Sequence, residues 1–267
     1  LRYIPISESG ELILDNIDSI IDQNTRIVSI IHQSNVFGTI NPIHEIIEAA
    51  HIKGAVVLVD AAQSIAHQKI DVKDLDCDFL VFSGHKILGP TGIGCLYVKE
   101  NILKDLAPYQ TGGQMIDHVD KKKSTWNDIP FRFEAGTPNI VGALGLSSAI
   151  DYINKLGMDK IKSHNKSITE YCLKELSNIK DIKIYGHKNS SGPVISFNIK
   201  GIQPYDLSQL LAQQNIFIRA GHHCAQPTMD RLNIQSSNRL SLYIYNDFED
   251  IDRLIKGIKK SIQLLSD

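Results

Sequence analysis

The chain has 267 residues, of which 42% are hydrophobic and 22% charged, and its formal net charge is −2. This is an ordinary globular composition, and the length suits one large domain or two unequal ones. The near-neutral charge argues against a nucleic-acid partner, because proteins that bind nucleic acids usually carry a strong excess of basic residues. No apolar run approaches the roughly 18 residues that a membrane-spanning helix needs.

The first half of the chain alternates apolar runs with a helical pattern. The predicted strands are Arg26–Ile31, Ala55–Val59, Phe79–Phe82 and Ile93–Val98. Between the first two, residues 42–53 carry apolar side chains at helical spacing, with Pro42 in the first turn and Gly54 as the stop. Strand, helix and strand at this length form a βαβ unit. Uninterrupted apolar strands indicate a parallel sheet buried on both faces.

Two long helices come next, predicted at Ile140–Leu156 and Ile161–Leu176. The pattern then becomes that of a smaller α+β region. Its predicted strands are Val194–Ile199, Ile216–Arg219 and Leu240–Ile244, and its predicted helices are Tyr205–Gln213 and Phe248–Leu265. We therefore predict an α/β protein with a mostly parallel sheet flanked by helices. A large domain would cover residues 1–152 and a small C-terminal domain residues 153–267.

The four cysteines, Cys77, Cys95, Cys172 and Cys224, are widely spaced. None belongs to a CxxC pair or to a Cys/His pattern with zinc-ligand spacing, so we expect no metal site. The spacing gives equally little support to a disulfide framework. A reducing, cytoplasmic compartment is the simplest interpretation.

Polar side chains follow three predicted strands at their carboxyl ends, where α/β sheets bind ligands. Asn35 follows the first strand and Asp60 the second, while Ser83, His85 and Lys86 follow the third. Each has an ordinary structural interpretation when taken alone. Asp60 suits a helix N-cap, and a lysine is usually a surface residue.

Taken together, these residues indicate a more specific chemistry. A partly desolvated lysine at a strand end can form a Schiff base with an aldehyde cofactor, because its neutral amine is then available. An aspartate on the adjacent strand can keep a pyridinium nitrogen protonated, and hydroxyl groups can hold a phosphate. These are the groups that pyridoxal phosphate requires of its protein. The spacing alone is only moderately specific.

The segment RAGHHCAQP, residues 219–227, places Cys224 behind two histidines and between a glycine and a proline. Glycine and proline indicate a loop. A buried packing role is the commoner one for a free cysteine. Arg219 and the two histidines could instead favour a reactive thiolate electrostatically.

Four stretches carry a family resemblance: LVDAAQS, DCDFLVFSGHKILGPTGIGCLYVKE, FRFEAGTPN and RAGHHCAQP. They resemble the Suf-type cysteine desulfurases, which belong to the class V aminotransferase family of fold-type I pyridoxal-phosphate enzymes. The resemblance runs from about Ile27 to the C-terminus, and the motifs are jointly specific. It implies pyridoxal 5′-phosphate as cofactor and conversion of L-cysteine to L-alanine. It also implies a role in iron–sulfur cluster assembly, with a sulfur-acceptor protein as partner.

The resemblance implies a role for each residue of the cofactor site. Lys86 would be the Schiff-base lysine, and Asp60 would lie opposite the pyridine nitrogen. Gln63 would lie near the phenolic oxygen of the cofactor. Ser83 and His85 would contact the phosphate.

The resemblance also implies the substrate site and the assembly. Cys224 would be the nucleophile that retains sulfur as a persulfide, a task that suits a soft thiolate. Asn35 and Arg239 would hold the substrate carboxylate, and we place Arg219 in the same substrate-binding group. Thr137 would reach the phosphate of a neighbouring subunit, which implies a homodimer. The other three cysteines are predicted to be packing residues.

Family members carry a segment before the point where this sequence begins. That segment supplies a histidine that stacks on the pyridine ring and a Gly/Thr turn for the phosphate. Neither is present here, since His32 lies at a different motif position. We therefore expect the chain to lack part of the large domain and, with it, part of the cofactor site.

Four alternatives remain at this point. One of them, a relative that acts on other amino acids, is disfavoured by the Cys224 loop. Selenocysteine lyase would use the same residues on L-selenocysteine, and the sequence does not separate the two activities. A non-catalytic fragment that binds a sulfur-acceptor protein is disfavoured by the intact set of Lys86, Asp60, Cys224 and Arg239. A nucleotide-binding module is weaker still, because GPTGIG lacks the Lys-Ser/Thr of a P-loop.

Overall fold

The computed structural model describes residues 1–186 and 192–266. The strands are β1 Ile27–Ile31, β2 Val56–Asp60, β3 Phe79–Ser83, β4 Gly94–Val98, β5 Ile116–Val119, β6 Ser124–Trp126, β7 Ile182–Tyr185, β8 Val194–Ile199, β9 Arg219–Gly221 and β10 Ser237–Ser241. The α-helices are α1 Ile17–Ile20, α2 Ile43–Ile52, α3 Val72–Leu75, α4 Glu100–Asp105, α5 Ile140–Leu156, α6 Met158–Ser177, α7 Pro204–Ala212, α8 Gln226–Leu232 and α9 Phe248–Ser266. Short 3-10 turns lie at Ser64–Ala66, Gly84–Ile87 and Phe131–Phe133.

The first sheet has the strand order β1-β2-β3-β4. The pairs β1–β2 and β2–β3 are parallel, as predicted, whereas β3 and β4 are antiparallel. The reversal follows from the short connection of residues 84–93, because a parallel crossover needs about a dozen residues or more. The sheet is therefore mixed, with β4 as the exception to the predicted direction.

One face of this sheet carries the core. The inward residues of α2 are the four predicted from helical spacing, namely Ile43, Ile46, Ile47 and Ala50, and they pack with Val57 and Val59 of β2. The opposite face bears Ile27 and Leu96, which are 64% and 59% exposed. The prediction of burial on both faces is thus wrong for β1 and β4, because the described helices cover these outer strands on one face only.

The second sheet has the order β7-β8-β10-β9, and its strand pairs are antiparallel. Its central strand β8 agrees with the predicted bounds and is almost entirely buried. Helices α6, α7 and α9 contribute to the same apolar core. A C-terminal α+β arrangement was predicted, but β7 and the β5–β6 hairpin were not.

Two strands of the second sheet lie about three residues from their predicted positions. The apolar signal came from Ile216, Ile218 and Leu242, which pack on the core outside the strands that they adjoin. The ladder is instead fixed by pairing between β9 and β10. The apolar pattern therefore identified the residues that pack on the core, but not the residues that pair in the sheet.

The helices α5 and α6 meet at Gly157, whose φ of 88° is a conformation that glycine adopts without steric cost. The predicted boundary between residues 152 and 153 falls inside α5, and the division into two domains remains a prediction. Within residues 1–186 and 192–266, we find no helix with the length and apolar character needed to cross a membrane.

The three cysteines predicted to pack have different surroundings. Cys77 and Cys172 are fully buried in the two main cores. Cys95 is exposed. The packing prediction is wrong for Cys95 because β4 forms an edge of its sheet in the described chain.

Candidate active site

Three of the predicted cofactor residues, Asp60, Ser83 and Lys86, lie at the carboxyl ends of the adjacent strands β2 and β3. Asp60 ends β2, where it pairs with Ile31 of β1 and Val81 of β3. Its carboxylate accepts a hydrogen bond from the amide of Ala62 at 2.8 Å, and its carbonyl accepts one from the amide of His32 at 2.8 Å. These bonds fix the aspartate at the junction between strand and turn.

Lys86 lies in the turn Gly84–Ile87 that directly follows β3, and it is partly buried. Burial lowers the pKa of its ammonium below the usual value, and the positive charges of Arg239 and Arg219 act in the same direction. Asp60 opposes this effect with its negative charge. The neutral amine is therefore more available than in an exposed lysine, which suits a nucleophile toward an aldehyde.

Ser83 adjoins this turn and His85 lies within it, whereas Gln63 and Thr137 belong to other segments. The hydroxyl of Ser83 lies 2.8 Å from Nδ1 of His85, on the exposed side of the site. Gln63 is partly buried and directly precedes the turn Ser64–Ala66. Thr137 is exposed in the segment before α5, so its predicted contact with a second subunit remains a prediction.

Two arginines come from the second sheet. Arg219 of β9 and Arg239 of β10 are direct partners in the antiparallel ladder. Burial lowers the pKa of the Arg239 guanidinium, and the charge of Arg219 contributes. The Nε atom of Arg239 is buried without a hydrogen-bond partner among the described residues. A like-charged pair with an unmet donor suits a carboxylate, which a guanidinium can bind through two parallel hydrogen bonds.

Cys224 lies in the loop between β9 and α8 and is exposed. Its Sγ atom lies 3.5 Å from Nη2 of Arg219, within hydrogen-bond range for sulfur. Its backbone amide donates to Nδ1 of His222 at 3.2 Å. The predicted nucleophile therefore faces the arginine pair that suits a substrate carboxylate.

Asn35 connects the two sheets in a way that the sequence did not indicate. Its side-chain amide donates to the carbonyl oxygen of His223 at 2.8 Å. Its own carbonyl accepts a hydrogen bond from Nη1 of Arg239 at 3.2 Å. Asn35 thus lies beside Arg239, as the resemblance implies, but this contact is made by its backbone. Its role toward a substrate remains a prediction.

Two histidines near the site differ from what the sequence analysis indicated. His67 was missed, and His223 was expected to favour the Cys224 thiolate by its charge. That expectation is wrong for His223, because burial lowers its pKa to about 4 and leaves it neutral at pH 7. His223 is 1% exposed and contacts the Ser237 hydroxyl through Nε2 at 2.9 Å. His67 lies 3.1 Å from the Asn165 side chain through Nδ1. Burial lowers the pKa of His67 to about 4, with a contribution from the nearby Lys86. Their positions in the sequence could have indicated a place near the site. His223 directly precedes Cys224, and His67 lies four residues after Gln63.

The residues present fit pyridoxal phosphate. A partly buried lysine with a lowered pKa lies near a carboxylate on the adjacent strand. The hydroxyl–imidazole pair of Ser83 and His85 offers polar contacts for a phosphate. The unmet Nε donor of Arg239 leaves a place for the anionic end of an amino acid.

Comparison with known proteins agrees with this assignment. A family model described as aminotransferase class-V matches residues 1–254. A probable cysteine desulfurase from Halalkalibacterium halodurans is 46% identical over 261 residues, covering 98% of this chain and 64% of the relative. A cysteine desulfurase from Haloferax volcanii is 42% identical over 267 residues, covering 100% of this chain and 63% of the relative. The chain spans just under two thirds of the length of these curated relatives.

Solved structures give the same result. An apo structure of a cysteine desulfurase from Thermococcus onnurineus is 35% identical, with a TM-score of 0.95 over 98% of this chain and 66% of that one. A cysteine desulfurase from Escherichia coli, solved in an S-sulfonic acid form, is 32% identical, with a TM-score of 0.94 over 98% of this chain and 65% of that one. The fold is that of the fold-type I pyridoxal-phosphate enzymes. Within that class, the chain belongs to the aminotransferase class-V family.

Proposed function

We propose that this protein is a cysteine desulfurase, which removes sulfur from L-cysteine, releases L-alanine and retains the sulfur on Cys224 as a persulfide. The observation that carries the proposal is the convergence of Lys86, the Arg219–Arg239 pair and the exposed Cys224 thiol. A lysine and an acid alone would suit many pyridoxal-phosphate enzymes. An exposed thiol beside the carboxylate site indicates sulfur chemistry in particular.

Five residues would hold pyridoxal phosphate: Lys86, Asp60, Gln63, Ser83 and His85. When bound, this cofactor withdraws electrons from the α-carbon of an amino acid. Asp60 would keep the proton on the pyridine nitrogen. Lys86 would bind the aldehyde carbon through Nζ until the amino group of the substrate takes its place on that carbon. The Nζ released in this exchange would then take the proton from the α-carbon of the substrate.

Arg239 would bind the substrate carboxylate, with Arg219 beside it. The planar guanidinium orients a carboxylate through two parallel hydrogen bonds. Its unmet Nε donor and partly buried position make such a bond stronger than it would be in open solvent. This contact would fix which end of the substrate faces Cys224.

The Cys224 thiolate would attack the sulfur atom of the activated substrate. A bond forms between the two sulfur atoms as the bond between sulfur and the β-carbon breaks. The electron pair of the broken bond stays on carbon, which takes up a proton and becomes the methyl group of alanine. Cysteine and one thiol thus give alanine and one persulfide, so no external oxidant or reductant is needed.

We also propose the wider setting of the reaction. The persulfide would pass its sulfur to an acceptor protein for iron–sulfur cluster assembly. Four free cysteines in the described chain suit a reducing, cytoplasmic compartment. The protein would act as a homodimer in which Thr137 completes the phosphate site of the partner. A monomeric mass by light scattering, with cofactor tightly bound, would contradict the dimer.

Alanine and persulfide formation test the proposal directly. The full-length protein is mixed with pyridoxal phosphate and L-cysteine, and alanine is measured beside the mass of the peptide that contains Cys224. We expect equal amounts of alanine and of added sulfur in a single turnover. Alanine formation from L-selenocysteine alone would favour the lyase, and no alanine from either substrate would refute both activities.

A further inference from the structure

His223 directly precedes the proposed nucleophile, yet its side chain points into the protein. It is 1% exposed, and its Nε2 atom lies 2.9 Å from the hydroxyl of Ser237. Ser237 is fully buried and begins β10, where it pairs with Gly221 at the end of β9. The imidazole therefore ties the Cys224 loop back to the strand that pairs with β9.

The backbone of this loop adopts a conformation that residues with a Cβ atom disfavour. His223 has a φ of 55° and Cys224 a φ of 58°, both in the left-handed region. Two consecutive residues of this kind persist only where the surroundings over-determine them. Contacts with residues outside the loop must therefore maintain its backbone conformation.

The contacts that hold it can be identified. The carbonyl of His223 accepts the hydrogen bond from the Asn35 amide at 2.8 Å, and the imidazole contacts Ser237. One residue is thus fixed through both its backbone and its side chain. The next residue, Cys224, has its Sγ atom 3.5 Å from Nη2 of Arg219.

The imidazole holds the loop without adding charge. Burial lowers the pKa of His223 to about 4, and the positive charges of Arg239 and Arg219 contribute. It is therefore neutral at pH 7. A charged side chain in this place would repel the arginine pair, whereas a neutral imidazole leaves Arg219 available to the thiol.

We infer that His223, through its hydrogen bond to Ser237, is a positioning residue that holds the Cys224 thiol against Arg219. The inference rests on the proposed function, in which Cys224 is the nucleophile. It means that the reactivity of the Cys224 thiol also depends on a residue that contacts neither substrate nor cofactor. A thiol released from the guanidinium loses the charge that favours its reactive thiolate form.

The test compares His223→Leu, His223→Gln and Ser237→Ala in the full-length protein. Leucine keeps apolar bulk without a hydrogen bond, glutamine keeps an N–H near the position of Nε2, and Ser237→Ala removes only the partner. The readout is the alkylation rate of Cys224 by iodoacetamide at pH 7, relative to that of the exposed Cys95, by peptide mass spectrometry. His164→Leu is the matched control, because His164 contacts the Asn246 carbonyl away from the loop.

We expect the ratio to fall roughly five-fold in His223→Leu and Ser237→Ala, and to be largely restored in His223→Gln. An unchanged ratio in His223→Leu and Ser237→Ala would overturn the inference. A loss in His223→Gln equal to that in His223→Leu would also overturn it, because packing shape would then be responsible. Alkylation needs neither cofactor nor substrate, so failure of the proposed function appears separately, as absence of alanine formation by the unmodified full-length protein.

Discussion

The side-chain amide of Asn35 lies 2.8 Å from the carbonyl oxygen of His223, although 188 positions separate the two residues in the sequence. This bond joins the end of β1 to the Cys224 loop, so the candidate site forms only when the two sheets are packed together. Arg239 contributes a second link, since it donates to the carbonyl of Asn35. Binding of a carboxylate at Arg239 and placement of the thiol therefore depend on the same residue.

Lys86 is predicted to bind the cofactor covalently. After incubation with pyridoxal phosphate and reduction with borohydride, mass spectrometry should find the label on the peptide that contains Lys86. The lowered pKa of this lysine leaves more neutral amine to react. Lys99 is an internal control, because its ion pairs with Asp76 and Asp78 raise its pKa. Labelling of another lysine, with Lys86 unmodified, would contradict the assignment.

Asp60→Asn is predicted to keep the fold and to slow alanine formation. An asparagine oxygen can still accept the hydrogen bond that Ala62 donates to Asp60. A neutral amide, however, cannot hold a pyridinium proton by charge, and loss of such electrostatic support costs roughly 100-fold or more in rate. Circular dichroism and steady-state kinetics measure the two effects. Near-normal turnover would remove Asp60 from this role.

Much of the cofactor half of the site could be predicted from sequence because its residues lie in local motifs. Ser83 ends β3, His85 and Lys86 follow within three positions, and Asp60 ends the neighbouring strand β2. Apolar spacing likewise gave the inward face of α2. These features depend on short-range patterns that the chain displays directly.

The remaining relationships depend on tertiary packing. The pairing of Arg219 with Arg239 follows from the β9–β10 ladder, whose strands were predicted about three residues away. The burial of His223 depends on Ser237, 14 positions later. Sequence patterns carry no direct signal for such contacts. The only guide to a role for Arg219, Arg239 or His223 was therefore the motif in which each of them lies.

Arg239→Lys is predicted to raise KM for cysteine about ten-fold or more while leaving cofactor binding intact. Lysine keeps the positive charge but loses the planar pair of donors that a carboxylate accepts. The absorption spectrum with pyridoxal phosphate should therefore match that of the unmodified protein. Arg253→Lys, on the exposed surface of α9, is the matched control. An unchanged KM in Arg239→Lys would place the carboxylate elsewhere.

Stability is predicted to fall as the pH drops from about 6.5 toward 4. Burial lowers the pKa of His32, His67 and His223 to about 4 each. In this window the unfolded chain binds protons that the folded chain does not, which costs up to about 3 kcal/mol for each histidine. Below pH 4 the loss from these groups levels off.

Urea unfolding of the chain at pH 7.5 and pH 5 measures this effect. His67→Gln should show a smaller difference between the two pH values, because one of the three histidines no longer titrates. His118→Gln is the control, since His118 is exposed on β5, away from the three buried histidines. An equal unfolding free energy at both pH values would contradict the prediction.

Cys224→Ala is predicted to bind pyridoxal phosphate normally and to lose alanine formation from cysteine. The cofactor residues lie at the ends of the first sheet, so removal of the thiol leaves them in place. No nucleophile then remains to take the substrate sulfur, and the rate should drop below about one hundredth of the original. Selenocysteine should be affected less, because selenium is the better leaving group.

Cys95→Ala serves as the matched control, since Cys95 is also exposed but lies on β4. It should form alanine and persulfide at the original rate in the full-length protein. The buried Cys172 is a poor candidate, because burial raises the pKa of its thiol to about 12. Full cysteine turnover in Cys224→Ala, or added sulfur on Cys77, Cys95 or Cys172, would show that the loop has a structural role alone.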